Sequence, residues 1–157
     1  MRSEREQAQQ SIAENRKAFH DYHIVDTYEA GVALLGTEVK SIREGNVNLR
    51  DSFARVEAGE VWIYNVHISP YSHRGSADHS ERRQRKLLLH RHEILKLSGR
   101  INEKGLTLVP LRMYFKKGRV KIALALVKGK QAHDKRETIR KREVDRETRA
   151  AVKDRAR

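Results

Sequence analysis

From Leu106 the chain reads LTLVPLRMYF and from Val120 it reads VKIALALV, with Lys116-Lys117-Gly118-Arg119 between them. Apolar residues alternate along both runs, the period-2 pattern of strands that bury one face. Two such runs joined by a short glycine-containing connection predict an antiparallel hairpin. Pro110 has no N–H to give a ladder, so its strand lies at an edge or carries a bulge. DSFARVE and EVWIYNVHI, joined through Glu57-Ala58-Gly59-Glu60, predict a second hairpin that Pro70 closes. YHIVDTYEAGVALLG mixes β-branched and aromatic residues and adds another strand, interrupted at Gly31 as at a bulge or barrel bend.

Helical spacing is confined to two places. TEVKSIREG sets Val39 and Ile42 three apart and stops at Gly45. KLLLHRHEILKLSGRINEKG carries Leu87, Leu88, Ile94, Leu95, Leu97 and Ile101 on a pattern compatible with a helix ending at Gly105. Between the hairpin and that helix lies YSHRGSADHSERRQR, a polar, basic loop that is long for a compact domain. Six or seven short strands with two inserted helices predict a mainly β chain. The expected fold is a small antiparallel barrel of the oligonucleotide-binding type with two to three flanking helices. Periodicity alone does not separate that barrel from a small sandwich. The expected organisation is a disordered or loosely helical arm over 1–14, a barrel domain over 15–128 and a basic tail over 129–157.

Charge narrows the partner. Lys and Arg number 34 against 21 Asp and Glu, a formal net charge of +13. Such a balance favours a polyanion, because every cation that neutralises a phosphate releases condensed counterions. A membrane surface would need an apolar face or a lipid anchor as well, and the chain has neither. The absence of cysteine excludes disulfides, cysteine zinc sites and thiol catalysis. No run approaches the roughly 18 apolar residues of a membrane span, and the N-terminus has no apolar leader segment, so a soluble cytoplasmic protein is expected.

The chemistry-bearing motifs are mostly missing. His90 and His92 are spaced i, i+2, which does not share a helix face, and neither H-x-x-x-H nor H-E-x-x-H occurs. His133-Asp134 matches the dipeptide of metal-dependent phosphohydrolases, but it stands alone. Phosphate-cradling glycine loops and the G-x-S-x-G elbow are absent. No metal, cofactor or catalytic activity is expected. What remains is basic: NRKAFH over 15–20, Lys40 with Arg43, ERRQRK over 81–86, and the tail. Interleaved with His20, Tyr22, His90 and His92, these clusters suit RNA, where cations meet phosphates and flat rings stack on bases.

The tail from Lys128 to Arg157 holds 12 basic and 6 acidic residues. Asp134 and Glu137 have the spacing of a helix start, and Glu137–Lys141 and Asp145–Arg149 are favourable i, i+4 pairs. Arg136–Arg140 and Arg142–Arg146 repel. Ile139, Val144 and Val152 form no continuous stripe, so nothing docks this helix on the barrel. The segment is expected to be disordered when free and to fold against an anionic surface.

NRKAFHDYHI, TYEAGVALLGTEVKSIREGNVNLRDSFARV, RKLLLHRHEI, KGLTLVPL and KGKQAHDKR stand in this order over residues 15–142. Together they resemble the small protein B (SmpB) family, the tmRNA-binding proteins of trans-translation. The resemblance implies an oligonucleotide-binding-type barrel that binds the tRNA-like domain of tmRNA. It implies partnership with the ribosome, and with elongation factor Tu indirectly through aminoacylated tmRNA. The tail is then expected to occupy the empty mRNA path near the decoding centre of the small subunit and to be helical there. RNA contact is implied for Asn15, Glu29 and Leu88, with Arg16, Lys17, His20, Tyr22, Lys40, Arg43, Lys86 and His90 as neighbouring helpers. Glu29 either accepts hydrogen bonds from base amino groups or a ribose hydroxyl, or orients a nearby cation. Leu88 either touches a base or packs on a helix. In the tail the implied ribosome-facing residues are Gly129, Lys130, His133, Asp134, Lys135, Arg136 and Arg140.

Two positions depart from the family pattern. Gln131 stands where a second lysine is usual, which puts one phosphate contact at the tail's root in question. His79 replaces a common proline, which implies a more mobile 71–85 loop. Two other classes stay open on the residues alone: a structural ribosome-associated RNA-binding protein, and a metal-dependent phosphodiesterase using His133-Asp134.

Overall fold

The computed structural model of the chain describes residues 9–71, 79–130 and 132–155. Its strands are β1 (Gln9–Glu14), β2 (Tyr22–Val32), β3 (Val47–Asn48), β4 (Phe53–Glu57), β5 (Glu60–Tyr64), β6 (His67–Ile68), β7 (Arg85–Leu88), β8 (Thr107–Lys116) and β9 (Arg119–Gly129). The helices are α1 (Arg16–Asp21), α2 (Gly36–Arg43), α3 (Arg91–Lys104) and α4 (Ala132–Arg155).

Both predicted hairpins are present. β4 and β5 turn at Ala58 and Gly59, and β8 and β9 turn at Lys117 and Gly118, all four with positive φ. That is the twist-matched two-residue turn, and Gly adopts it without a Cβ penalty. β8 pairs with β9 along one edge. Its other edge is shared between β4, through Ala54 and Leu108, and β1, through Glu14–Arg112 onward to Gln9–Lys116. β5 then pairs β7, β7 pairs the end of β2, and β2 runs back along β9. Six strands thus close a ring, β8-β4-β5-β7-β2-β9, with β1 paired to the remaining edge of β8 and its Ile12 and Ala13 packed against the core. The antiparallel barrel is present and the sandwich is not.

The interior is filled by alternate residues of the ring, Val61, Ile63, Leu87, Leu108, Ile122, Leu124 and Leu126, with Leu97 of α3 closing one side. A second, smaller cluster forms on the outer face of β8 and β9, where Ala18 of α1 covers Val109, Leu111, Ala125 and Val127. β9 is therefore buried on both faces over its middle and not on one as expected, and the alternation in VKIALALV is of large against small apolar residues. The small Ala125 leaves room for the helix.

Four expectations change. Leu87 and Leu88 belong to strand β7 and not to a helix, because their backbone partners, Val61, Gly31 and Val32, are distant in sequence. Gln9–Glu14, expected to be disordered or loosely helical, is a strand because β8 offers an open edge beyond Leu108; residues 1–8 lie outside the described residues. The register shift of β2 falls between Ile24 and Asp26, while Gly31 is the point at which β2 changes partner from β9 to β7. The loop expected to be mobile at His79 is pinned there. His79 is buried, its Nε2–H donates to the Ile68 carbonyl at 3.0 Å, and its Nδ1 lies 2.9 Å from Thr37 Oγ1. Residues 72–78 of that loop lie outside the described residues. Pro110 behaves as predicted, with the β8 register shift beginning at that residue.

Candidate nucleic-acid interface

Gly31 stands between one predicted site residue, Leu88, and a cation next to the β8–β9 turn. It pairs with Leu88 on one side and with Lys121 on the other. A Cβ built at Gly31 would stand 3.2 Å from Leu88 Cβ, tight enough to shift Leu88 by a few tenths of an ångström, and in ordinary contact with Lys121 Nζ at 3.7 Å. Beside this junction an open cleft of about 500 Å³ is lined by the apolar Leu34, Val39 and Leu88 and the basic Arg119 and Lys121. Leu88 is 52 % exposed, far more than a packing residue needs.

Glu29, two residues along the same face, accepts a hydrogen bond from Tyr114 Oη at 2.7 Å and from Lys116 Nζ at 3.1 Å. Ala123 lies between Glu29 and Arg112 in the cross-strand row, and its small side chain lets the contacts pass over β9. The Tyr114 hydrogen bond, followed by Lys116 and Lys121, holds the Glu29 carboxyl below the usual carboxylate range against the opposing effect of burial. Burial first, then Glu29, pushes the Tyr114 phenol above its ordinary value. Arg112 covers the Tyr114 ring at 4.7 Å. In this geometry Glu29 holds the Lys116 ammonium and the Tyr114 hydroxyl. The hairpin cations Lys116, Lys117, Arg119 and Lys121 were not singled out from the sequence, although KKGRVK carried the signal.

At the other end of β2, Asn15 caps α1. Its Nδ2 donates to the Pro110 carbonyl at 2.9 Å, its Oδ1 accepts from the Ala18 N–H at 3.4 Å, and its own N–H donates to Leu111 O at 2.7 Å. Asn15 is buried, so it anchors the helix and does not present its amide. Arg16 and Lys17 are exposed on the helix it anchors. Lys17 pairs with Asp51 at 2.7 Å, a surface bond that lowers the Asp51 carboxyl. His20 Nδ1 lies 2.9 Å from Asp21, and Tyr22 is half-buried at the start of β2.

Tyr22 pairs with Gly129, which brings the root of the tail beside α1. Lys130 N–H donates to Asp21 O at 2.9 Å and its Nζ to Phe19 O at 3.2 Å, so a cation meets the last carbonyls of α1. α4 follows as a continuous helix whose described side chains, Arg136, Ile139 and Arg140 among them, are exposed. The side chains of His133, Asp134 and Lys135 and the whole of Gln131 lie outside the described residues.

The remaining predicted residues spread along α2, β7 and α3. Lys40 lies 5.3 Å above the Tyr71 ring and Arg43 is exposed, both on the helix whose Val39 lines the cleft. Lys86 Nζ meets Glu60 at 3.0 Å. His90 starts α3 and stacks on His92 with ring centres 5.6 Å apart. The sequence reading also missed an outward aromatic ladder. Trp62 stands between Arg55 and Lys86 in a cross-strand row, and Arg55 lies over the stacked Phe53 and Tyr64 rings. The structure thus forms two basic regions, one around Glu29, Gly31, Leu88 and the β8–β9 hairpin, and one around α1 and the tail root.

Among the described residues no helix is long and apolar enough to cross a membrane, and no group of three or more His, Asp or Glu is arranged to hold a metal ion.

Residues 12–154 match the family model described as SmpB protein. The chain is 61 % identical over 142 residues to an SsrA-binding protein of Carboxydothermus hydrogenoformans, covering 90 % of this chain and 95 % of that one. It is 57 % identical over 148 residues to an SsrA-binding protein of Trichodesmium erythraeum, covering 94 % and 95 %. A solved structure described as "tmRNA-SmpB: a journey to the center of the bacterial ribosome" contains a chain similar to this one. The TM-score is 0.66 at 51 % identity, with 82 % of this chain and 94 % of that chain covered.

Proposed function

The chain belongs to the SmpB protein family, and from that membership we propose that it is an RNA-binding adaptor of trans-translation. It binds the tRNA-like domain of tmRNA and helps deliver alanyl-tmRNA, with elongation factor Tu, to stalled ribosomes. The observation that carries this reading is the near-full-length identity to SsrA-binding proteins. The basic regions support it, since cations set on a rigid barrel suit a folded RNA read mainly by shape and phosphate.

The barrel holds the RNA through the hairpin cations, Arg16, Lys17 and the residues around Gly31. The tail, from Gly129, enters the vacant mRNA path near the decoding centre. Free of that surface, α4 has no apolar stripe to dock and frays. On the ribosome its cations meet phosphate and the helix persists. His133, Asp134, Lys135, Arg136 and Arg140 are its ribosome-facing residues. The role is that of a cytoplasmic adaptor and not a catalyst, the energy-consuming chemistry belonging to the factor and the ribosome.

The test is filter binding of the full chain to the tRNA-like domain of tmRNA and to bulk elongator tRNA across a salt series. Selective binding to the first, weakening log-linearly with salt, is expected. Equal affinity for both RNAs contradicts the reading.

A further inference from the structure

The outer face of the β4–β5 hairpin carries flat groups that the barrel interior does not use. Ala54, Val61 and Ile63 point into the core, so Phe53, Arg55, Trp62 and Tyr64, which alternate with them, point outward. Phe53 lies opposite Tyr64, and Arg55 opposite Trp62. The Phe53 and Tyr64 rings stack with centres 5.3 Å apart and planes 13° from parallel. The Arg55 guanidinium lies 5.0 Å from the first ring centre and 5.8 Å from the second. Phe53 is tied into the apolar cluster beside α1, whereas Trp62 and Tyr64 stay half-buried and Arg55 is exposed.

The charge on this face is available. Arg55 has no carboxylate partner among the described residues. The two acids beside the hairpin turn are engaged, Glu57 by the Tyr64 hydroxyl at 2.6 Å and Glu60 by Lys86 at 3.0 Å. A guanidinium resting on rings is ordered in advance, and its edge still offers N–H donors. Any base can stack on such groups, provided that it is not already stacked and paired in a helix. A duplex would offer this face only phosphates. Rings and an unpaired cation are used together by an unpaired strand, and the net charge of +13 favours a polyanion over a second copy of the chain.

We propose that the outer face of β4 and β5 is a second site, a stacking platform for single-stranded RNA, with one base on Trp62 and its neighbour on the Arg55 guanidinium. The edge of that guanidinium holds the phosphate between the two bases. The platform is built from one hairpin, apart from the Gly31 region and the tail root, and it stands independently of the adaptor reading.

Trp62 is the only tryptophan of the chain, so its fluorescence reports on this face alone. The full chain is titrated with a short oligo(U) and with a blunt RNA duplex of equal length. Oligo(U) quenches Trp62 and the duplex does not. Arg55→Ala weakens the quenching isotherm about tenfold. Arg55→Lys restores only part of it, because an ammonium keeps the charge and has no plane to stack on. Tyr64→Leu, which removes a ring from beneath the guanidinium, weakens it as well. Lys121→Gln, in the Gly31 region, leaves the quenching in place. Arg55 is exposed, so its replacement leaves the barrel folded, which circular dichroism verifies. No quenching by oligo(U), equal quenching by the duplex, or full affinity in both Arg55→Ala and Tyr64→Leu overturns the platform. Full rescue by Arg55→Lys overturns the stacking role. Loss of quenching in Lys121→Gln assigns the strand to the Gly31 region and overturns a separate site. Failure to bind the tRNA-like domain of tmRNA counts against the adaptor reading and leaves the oligo(U) result standing.

Discussion

Glu38 of α2 and Arg85 of β7 are ion-paired in the interior, neither more than 1 % exposed. Arg83 joins the same carboxylate, Leu35 N–H donates to it at 2.8 Å, and Arg85 reaches on to the Val66 carbonyl at 2.8 Å. This one carboxylate ties the segment before β7, and with it Lys86 and Leu88, onto α2. Glu38→Gln leaves a buried guanidinium uncompensated and is predicted to destabilise the fold by about 3–5 kcal/mol in urea denaturation at neutral pH.

Burial alone would raise the Glu38 carboxyl. The two guanidinium groups and the Leu35 N–H outweigh it, and the net shift is downward from 4.5. A depressed folded value contributes stability above the unfolded value and loses it as pH falls through the folded one. The gap between wild type and Glu38→Gln should therefore be full at neutral pH and narrow only below about 4.5. A gap that is constant down to pH 3 would show that the carboxylate charge is not what stabilises.

Tyr114 is 3 % exposed and its hydroxyl donates to Glu29, so any effect of that hydroxyl on RNA binding is expected to pass through Glu29. Tyr114→Phe and Glu29→Gln are each predicted to weaken binding to the tRNA-like domain, and the double variant to lose little more than either single one. A coupling energy of about 1 kcal/mol is expected from the cycle. Additive losses would make Glu29 a direct contact to a base or ribose.

Asn15→Ala removes the α1 cap and the hydrogen bond to the Pro110 carbonyl. A cost of about 1–2 kcal/mol is expected, together with faster hydrogen exchange at Ala18. Unchanged stability with lost RNA binding would mean that the side chain leaves its buried position to touch RNA.

Both hairpins were legible because Ala58-Gly59 and Lys117-Gly118 occupy positions that demand positive φ, a local requirement. Strand β7 was not, because KLLL is too short for its period to tell strand from helix and its partners lie in β2 and β5. β1 was hidden for a related reason. QQSIAE is polar, and only the open edge of β8 makes it a strand. Of the site, Glu29 and Leu88 were named through resemblance, while the Gly31 junction that unites them appears only when two ladders meet on one residue. Glu38 and Arg85 stand 47 positions apart, and no pattern in a single sequence pairs them.

α4 exposes Ile139, Val144 and Val152, while Lys130 just before it bonds to the Asp21 and Phe19 carbonyls of α1. The α4 amides over 136–152 are predicted to exchange with solvent far faster than those of β8 and β9 in the free protein.

The most direct measurement is tagging of nascent chains on ribosomes stalled at the end of a message without a stop codon, supplied with tmRNA and either the full chain or one ending at Lys128. The full chain is predicted to support tagging. The shortened chain should bind the tRNA-like domain with unchanged affinity and give none. Tagging by the shortened chain, or loss of its RNA binding, would contradict a barrel that holds RNA and a tail that reads the empty track.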